Sequence, residues 1–258
     1  MDIDNSIGKK WLAHSKGYAG QVQTQLEHLS EVKRLAIDRC PSFLSDDVNL
    51  AAIFHDFGKY SILFQRRLEG IESGLDHWSP GAHLLLKYKL SDLAAIAVQA
   101  HHVGLEPWGQ VSSLKNELMS LEGRRLTLSS SQELNDAFKA LLEEGFRPQD
   151  YKNGHRFERT VGSMLDARMV LSALVHADYT DTAKHLRGEK RPEVSNLDAE
   201  AAFEIVEKYV TSLRKEASPI VKEVRRDLWN AALDAADRAP GLYELEAPTG
   251  SGKTLAML

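Results

Sequence analysis

Apolar residues recur at helical spacing along most of the chain. Between residues 18 and about 40, Val22, Leu26, Leu29, Val32, Leu35 and Ala36 predict one amphipathic helix, which Pro41 stops. Ser45 offers a cap to the next helix, and Asp46 and Asp47 complement the dipole in its first turn. Val48, Leu50, Ala51, Ile53 and Phe54 carry that helix to His55, and Gly58 suits its C-terminal end. A loop around Gly70 and Gly74 follows. Ser79 and Pro80 then open a helix through Leu84, Leu85 and Leu86. Ser91 caps another, with Leu93, Ala94, Ile96, Ala97 and Ala100 buried, ending at His101-His102 before Gly104.

The pattern weakens over residues 106–153. Residues 117–119 and 133–142 read as short helices among Ser-rich turns, and the region reads as an insertion or lid. From about 157 to 178 the helical signal is strong again (Val161, Met164, Leu165, Met169, Val170, Leu171, Leu174, Val175), with Asp178 at its far end. A charged link over 187–196 leads to two amphipathic helices, 197–215 and 219–237. A strand-like run, 242–247, is the one convincing strand. The expected fold is all-α, a helical bundle, with one domain over 1–215 and a second, incomplete one over 216–258.

Composition narrows the function. With 258 residues, 43% hydrophobic and 27% charged, the chain suits one large domain, or one domain plus a fragment. No apolar run approaches the roughly 18–20 residues of a membrane span, and Met1-Asp2-Ile3-Asp4 does not open a signal peptide. Cys40 is the single cysteine, so a disulfide framework and a thiolate-rich zinc site are excluded and a cytoplasmic setting is expected. A net charge of −5 argues against gripping nucleic acid by bulk electrostatics. Arg66-Arg67, Arg124-Arg125, Lys190-Arg191 and Lys222 with Arg225-Arg226 read as solvated basic faces. Trp78 and Trp108, expected near the histidines, are candidates to stack single-stranded bases, with core packing the plainer reading of Trp78.

Ten histidines are the compositional oddity. His55-Asp56 ends a buried apolar helix, where an imidazole and a carboxylate are costly unless a cation or hydrogen bonds compensate them. Alone, the dipeptide also fits a capped helix end with a packed histidine. His28, His55, Asp56, His77, His101, His102 and Asp178 together stand at the ends or inner faces of five helical segments, and a bundle can point such groups at one place. Mixed imidazole and carboxylate donors suit manganese, iron, cobalt, nickel or zinc, with magnesium also possible. Seven donors exceed the needs of one ion, so two ions bridged by Asp56 is the economical arrangement. His101 and His102 are adjacent and point about 100° apart in a helix, so they are expected to face different ions. His83 is expected to pack, His14 either to support the site or to pack, and His155 and His185 to be solvated. His176 is at most a neighbour of the ligands.

This set of motifs resembles the HD superfamily of metal-dependent phosphohydrolases. His55-Asp56-Phe57-Gly58-Lys59 looks like that family's H-D-x-G-K, and His77 with Gly81-Ala82 is similar to its H-x-x-x-G-A. Finer wording is similar to the HD nuclease domain of the type I CRISPR-associated nuclease–helicases. Ala13-His14-Ser15, Leu26-Glu27-His28-Leu29 and Ala100-His101-His102-Val103-Gly104-Leu105 resemble its A-H-S, L-x-H-L and A-H-H-x-G-L. The run from Ser172 to Thr182 resembles its S-x-L-V-D-A-D-x-x-D-T, with His176 in place of the first aspartate. The resemblance spans about residues 13–182 without the middle region. It implies that His28, His55, Asp56 and Asp178 hold one metal and that Asp56, His77, His101 and His102 hold the other. It further implies that the metals lower the pKa of water, while the second ion and Lys59 offset charge on the scissile phosphate. Lys59 also reads as a helix-end lysine facing the dipole.

Ala247-Pro248-Thr249-Gly250-Ser251-Gly252-Lys253-Thr254 fits the phosphate-loop pattern with alanine at its first glycine, after a strand-like run and before a possible helix. Gly250, Gly252, Lys253 and Thr254 are the expected ATP and magnesium contacts. The wording resembles motif I of superfamily 2 helicases. The rest of that helicase is missing from this chain, which looks like a piece cut just inside it. Residues 242–258 are therefore expected to pack loosely and to bind ATP poorly.

The function expected from these resemblances is a metal-dependent endonuclease and exonuclease on single-stranded DNA. A helicase would feed it, and an RNA-guided CRISPR surveillance complex would recruit it. Two alternatives are an HD phosphohydrolase of small or cyclic nucleotides and a binding module whose metal only stabilises the fold.

Overall fold

In the computed structural model, residues 10–116, 118, 125–189, 197–215, 217–239, 241 and 243–257 are described. The molecule is mostly helical, 61% helix and 4% strand. Two compact units divide at 191/192. The sequence reading places a boundary after 215; the contacts instead group the helix ending at Lys215 with the second unit.

The first unit opens with strands β1 (Leu12–His14) and β2 (Gln23–Thr24), paired antiparallel. They replace the first turns of the helix expected from residue 18. Helix α1 (Gln25–Ile37) starts only at Thr24, where a capping box with Glu27 satisfies the free amides. Helix α2 (Ser45–Phe54) starts with Ser45 inside it, capped at Leu44. The short helix α3 (Ile62–Leu68), not apparent from periodicity, follows Ser61, whose hydroxyl accepts from Phe64 N. Strand β3 (Leu75–Asp76) leads to α4 (Ser79–Lys87), where Asp76 does the capping expected of Ser79, accepting from Ser79 N at 2.9 Å. Ser91 caps α5 (Asp92–Ala100), as expected.

Helix α6 (Trp108–Ser113), strand β4 (Arg125–Leu126) and α7 (Ser131–Glu143) occupy the middle region. They do not form a lid. Leu114, Leu128, Leu134, Ala137 and Leu141 are buried in the core, and β4 pairs in parallel with β3. The expected helix over 117–119 lies outside the described residues save Leu118, which is not helical.

Helix α8 (Val161–Arg187) runs nine residues past its expected end, because nothing breaks it before Gly188, whose φ of +67° closes it in the left-handed region. Asp178 therefore lies well inside the helix. Ala167, Val170, Leu174, Ala177 and Asp181 form the buried stripe of α8.

Helix α2 is the centre of this unit. It packs against α1, α4, α5 and α8, and Val48, Leu50, Ala51, Ala52, Ile53 and Phe54 are completely buried. Each large apolar side chain so buried contributes about 1.5–3 kcal/mol. Close approach depends on two glycines. A Cβ on Gly81 would stand 2.0 Å from the carbonyl oxygen of Phe54, and one on Gly58 would stand 2.2 Å from Thr127 Oγ1 and 2.5 Å from the His77 carbonyl oxygen.

In the second unit, α9 (Ala199–Lys215) packs on α10 (Pro219–Ala236), with Phe203 stacked on Trp229, and α11 (Lys253–Ala256) packs on α10 as well. The expected strand is not formed: residues 243–247 have no regular structure, since no strand in the described part of this unit is there to pair with them. No helix among the described residues is long and apolar enough to cross a membrane.

Because Gly81 lets α4 ride on the end of α2, Gly81→Ala is expected to destabilise the chain by roughly 1–3 kcal/mol through overpacking. At about 2–4 °C per kcal/mol for a chain of this size, thermal melting resolves the loss. An unchanged melting temperature would mean that the two helices separate without cost.

Candidate metal centre

The residues between α2 and α3 put Asp56 at the bottom of a cleft, with His55 fully buried beside it. His55 caps α2 with its amide bonded back to Ala51, and Gln25, fully buried, donates from Nε2 to the Asp56 carbonyl at 2.9 Å. Gly58 N donates to the His77 carbonyl at 2.8 Å, tying this turn to the segment before α4.

Four of the expected ligands converge here. His28 Nε2, His55 Nε2, Asp56 and Asp178 each offer an atom, all within 4.8 Å of one another. His28 Nε2 lies 3.0 Å from Asp56 Oδ2, 3.5 Å from Asp178 Oδ1 and 3.2 Å from His55 Nε2. His55 Nε2 lies 3.1 Å from the same Asp56 oxygen. The tautomers explain why this grouping asks for a cation. His55 donates from Nδ1 to the Ala52 carbonyl (2.9 Å), and His28 donates from Nδ1 to Asp181 Oδ2 (2.6 Å). In the neutral rings both Nε2 atoms then carry lone pairs, aimed at each other and at carboxylate oxygens.

A second group lies across Asp56. Its Oδ1 is 3.2 Å from His77 Nε2, which is 3.1 Å from His102 Nε2; these three residues form the second set. Asp56 belongs to both sets and offers Oδ2 to one and Oδ1 to the other. His101 joins neither. Its Nδ1 donates to the Val98 carbonyl at 2.7 Å, and its buried Nε2 has no hydrogen-bond partner. The His101 ring lies 4.0 Å from that of His102 and 5.4 Å from that of His55, centroid to centroid. Two imidazole and carboxylate sets sharing one aspartate, with an orphaned imidazole nitrogen beside them, could hold metal ions.

Protonation points the same way. Burial pushes the Asp56 carboxyl up, but its interactions with His55, the Lys59 ammonium and His28 outweigh it, and it ends well below the usual range. Asp178 is also lowered: burial pushes it up, and His55, His28 and His101 pull it down against the repulsion of Asp56. Burial lowers His77, with Lys59 and Arg67 adding to the effect. Burial, then His102 and His55, hold His101 well below its ordinary value. His102, at the cleft, is pushed to about 4 by burial and by His77. These rings are neutral near pH 7, the form that binds a metal. In His28, burial lowers the pKa but the bonds to Asp181 and Asp56 win, so it is raised.

Lys59 is nearly buried, with Nζ 2.6 Å from Asp56 Oδ2. It pairs with the carboxylate that the two sets share.

Asp181 is the residue that the ligand assignment passes over. It is 3% exposed, one turn beyond Asp178 on the buried stripe of α8. It accepts from His28 Nδ1 and, at 2.7 Å, from Gln23 Nε2, while Gln23 accepts from His14 Nδ1 at 2.8 Å. His14 therefore supports the site, and burial, followed by the Lys59 and His28 charges, pushes it to about 3. His185, expected to be solvated, stacks on His14 and bonds to the Ser15 carbonyl. His155, also expected to be solvated, holds the buried Asp47 at 2.7 Å. His83 packs, as expected, with Nδ1 donating to the Leu114 carbonyl. Trp78 packs on the rings of His77 and His102, and Trp108 packs on Phe157.

The cleft above the ligands has a volume of about 410 Å³. Asp56, His77 and His102 form its floor, and its walls are Phe64, Arg67 and Leu68 of α3 and Asp178, Tyr179, Thr182 and Leu186 of α8.

The phosphate-loop residues form a separate feature of the second unit. Gly250 and Gly252 take φ of +80° and +98°, and Lys253 Nζ donates to the carbonyls of Ala247 and Pro248. Thr254 lies in the single turn of α11.

A ligand that binds only the folded chain stabilises it, by about 2.7 kcal/mol at a hundred times its Kd. Manganese or cobalt is therefore expected to raise the melting temperature by several degrees, and Asp178→Asn to remove most of that rise. Asp181→Asn keeps the shape but loses the charge that orients His28, so metal affinity should fall about 10–100-fold in a competition titration with a chelator. Equal affinities would mean that Asp181 does not set the His28 tautomer.

No model of a protein family matches the chain, and no curated protein matches it.

Proposed function

We propose that the chain is a metal-dependent nuclease that cuts single-stranded DNA, the HD part of a CRISPR nuclease–helicase that degrades foreign DNA in the cytoplasm. The observation that carries the reading is Asp56, whose two oxygens each face a different histidine set at the floor of an open cleft. Bound in the two sets, divalent ions would lower the pKa of water and offset charge on a phosphodiester. His28, His55, Asp56 and Asp178 would hold one ion and Asp56, His77 and His102 the other, with His101 Nε2 in reserve beside the second. Lys59 sits against the shared carboxylate and offsets phosphate charge as the scissile bond breaks. The arrangement calls for no side-chain nucleophile. An ATP-driven helicase carrying Gly250, Gly252, Lys253 and Thr254 in its ATP- and magnesium-binding loop would deliver the strand, and an RNA-guided surveillance complex would recruit the assembly.

A second reading, hydrolysis of a small or cyclic nucleotide, is favoured by the cleft's volume, which falls in the range of small-ligand sites, about 300–1,000 Å³. Circular single-stranded DNA separates the two. The manganese- or cobalt-loaded chain is expected to open and then degrade the circle, EDTA to stop it, and Asp56→Ala to leave only background. Intact circles together with turnover of a nucleotide would favour the second reading. A purely structural metal would show itself if Asp56→Ala melted earlier yet altered no rate.

A further inference from the structure

Several basic residues of the first unit are held by carboxylates. Arg66 and Arg125 both reach Glu72, at 3.4 and 2.9 Å, and Arg156 reaches Asp92 at 3.3 Å. Arg67 differs. It lines the cleft, it is exposed, and no carboxylate among the described residues pairs with it. Its guanidinium carbon lies 5.4 Å from the centroid of the Phe64 ring, and Lys59 Nζ lies 5.3 Å from the same centroid. Phe64 itself is 2% exposed and fixed under its helix cap. Arg67 thus stands one aromatic ring away from the ammonium that touches Asp56, a second cation along the wall.

The opposite wall is α8. Asp178, Thr182 and Leu186 follow one another at four-residue intervals on the cleft side, and Tyr179 lies beside them with 61% of its surface exposed. A large aromatic face left open beside a ligand carboxylate is the kind of platform on which a base stacks.

We propose that Arg67 and Tyr179 are the substrate seat of this cleft: Arg67 takes a backbone phosphate next to the one over the histidine–aspartate floor, and Tyr179 stacks a base of the same strand. This rests on the single-stranded DNA reading and names the residues that grip the strand. Arg67 suits the role because its planar fork matches two phosphate oxygens. Tyr179 suits it because stacking accepts any base.

The test is binding of fluorescein-labelled fifteen-residue oligothymidylate to the whole chain in EDTA, read by anisotropy, where no cleavage interferes. Arg67→Ala should weaken binding about fivefold or more and reduce the slope of log K against log salt by about 0.7, the loss of one phosphate contact on a single strand. Arg67→Lys should keep that slope. Tyr179→Ala should weaken binding about fivefold or more without changing the slope, and Tyr179→Phe should bind like the parent. With metal present, Arg67→Ala should raise KM for circular DNA far more than it lowers kcat. Both side chains are exposed, so the variants should melt with the parent.

Alanine variants that bind the oligonucleotide like the parent overturn the seat. So does a parent chain that does not bind it, or one that binds thymidine monophosphate as tightly and loses both ligands equally in Arg67→Ala. If the seat variants weaken binding as stated while the metal-loaded parent leaves circles intact, the seat stands and the nuclease reading falls.

Discussion

A carboxylate with 1% exposure, Asp56, is the point on which the first unit turns. Burial alone would make it take up a proton. It stays charged because Lys59 touches one oxygen and the imidazoles of His28, His55 and His77 surround the pair. Lys59 is one positive charge, however, set among Asp56, Asp178 and Asp181. Even a proton on His28 leaves the three carboxylates in excess and turns no lone pair of His77 or His102 toward a donor. The remaining deficit is what divalent cations would supply, and the fold is shaped to hold that deficit in place. Gln25 fixes the Asp56 backbone, and Gly58 and Gly81 let α4 and the turn after α2 come close enough to bring His77 to the far oxygen.

The floor and the walls of the cleft are built differently. Three buried imidazoles around Asp56 are locked through Nδ1: His55 by the Ala52 carbonyl, His101 by the Val98 carbonyl, His28 by Asp181. Such bonds set both ring angle and tautomer, so the donors are oriented before a ligand arrives. The walls carry exposed, longer side chains on α3 and α8. Metal ligands need a fixed geometry, whereas a strand bound as proposed would be met by side chains that adjust.

How much of this could be read from sequence follows from how local each signal is. Helices α2, α4 and α5 announce themselves through apolar spacing and caps, and the histidines at their ends cluster in the chain as well as in space. The grouping of His55, Asp56, His77 and His102 was legible for that reason, whereas His101 joins neither set. The start of α1 was misread because Val22 continues the apolar rhythm, although the capping box at Thr24 and Glu27 marks the true start. Helix α8 was read too short because its last turns are polar, and only Gly188 ends it. Strand pairing of residues 243–247 would need partners that periodicity does not supply. His155 looked solvated because its partner Asp47 is 108 residues away. Asp181 left a trace that can be used: it takes a buried position in a stripe of Ala167, Val170, Leu174 and Ala177. A carboxylate on an apolar stripe is costly unless something binds it, and here His28 and Gln23 do.

His101 shows what adjacent histidines can and cannot share. About 100° separates their directions on a helix, and at the end of α5 His102 turns to His77 while His101 turns inward between His55 and His102. Its Nδ1 is committed to Val98, so its buried Nε2 must be an acceptor, and no hydrogen-bond donor reaches it. Leaving such an atom unmet costs about 1–3 kcal/mol. Packing gives no reason to keep it, since an apolar side chain would fill the same space without that cost. The His101 ring lies 4.0 Å, centroid to centroid, from that of His102, a member of the second set. A metal ion in the neighbouring set would be the kind of partner that this nitrogen lacks.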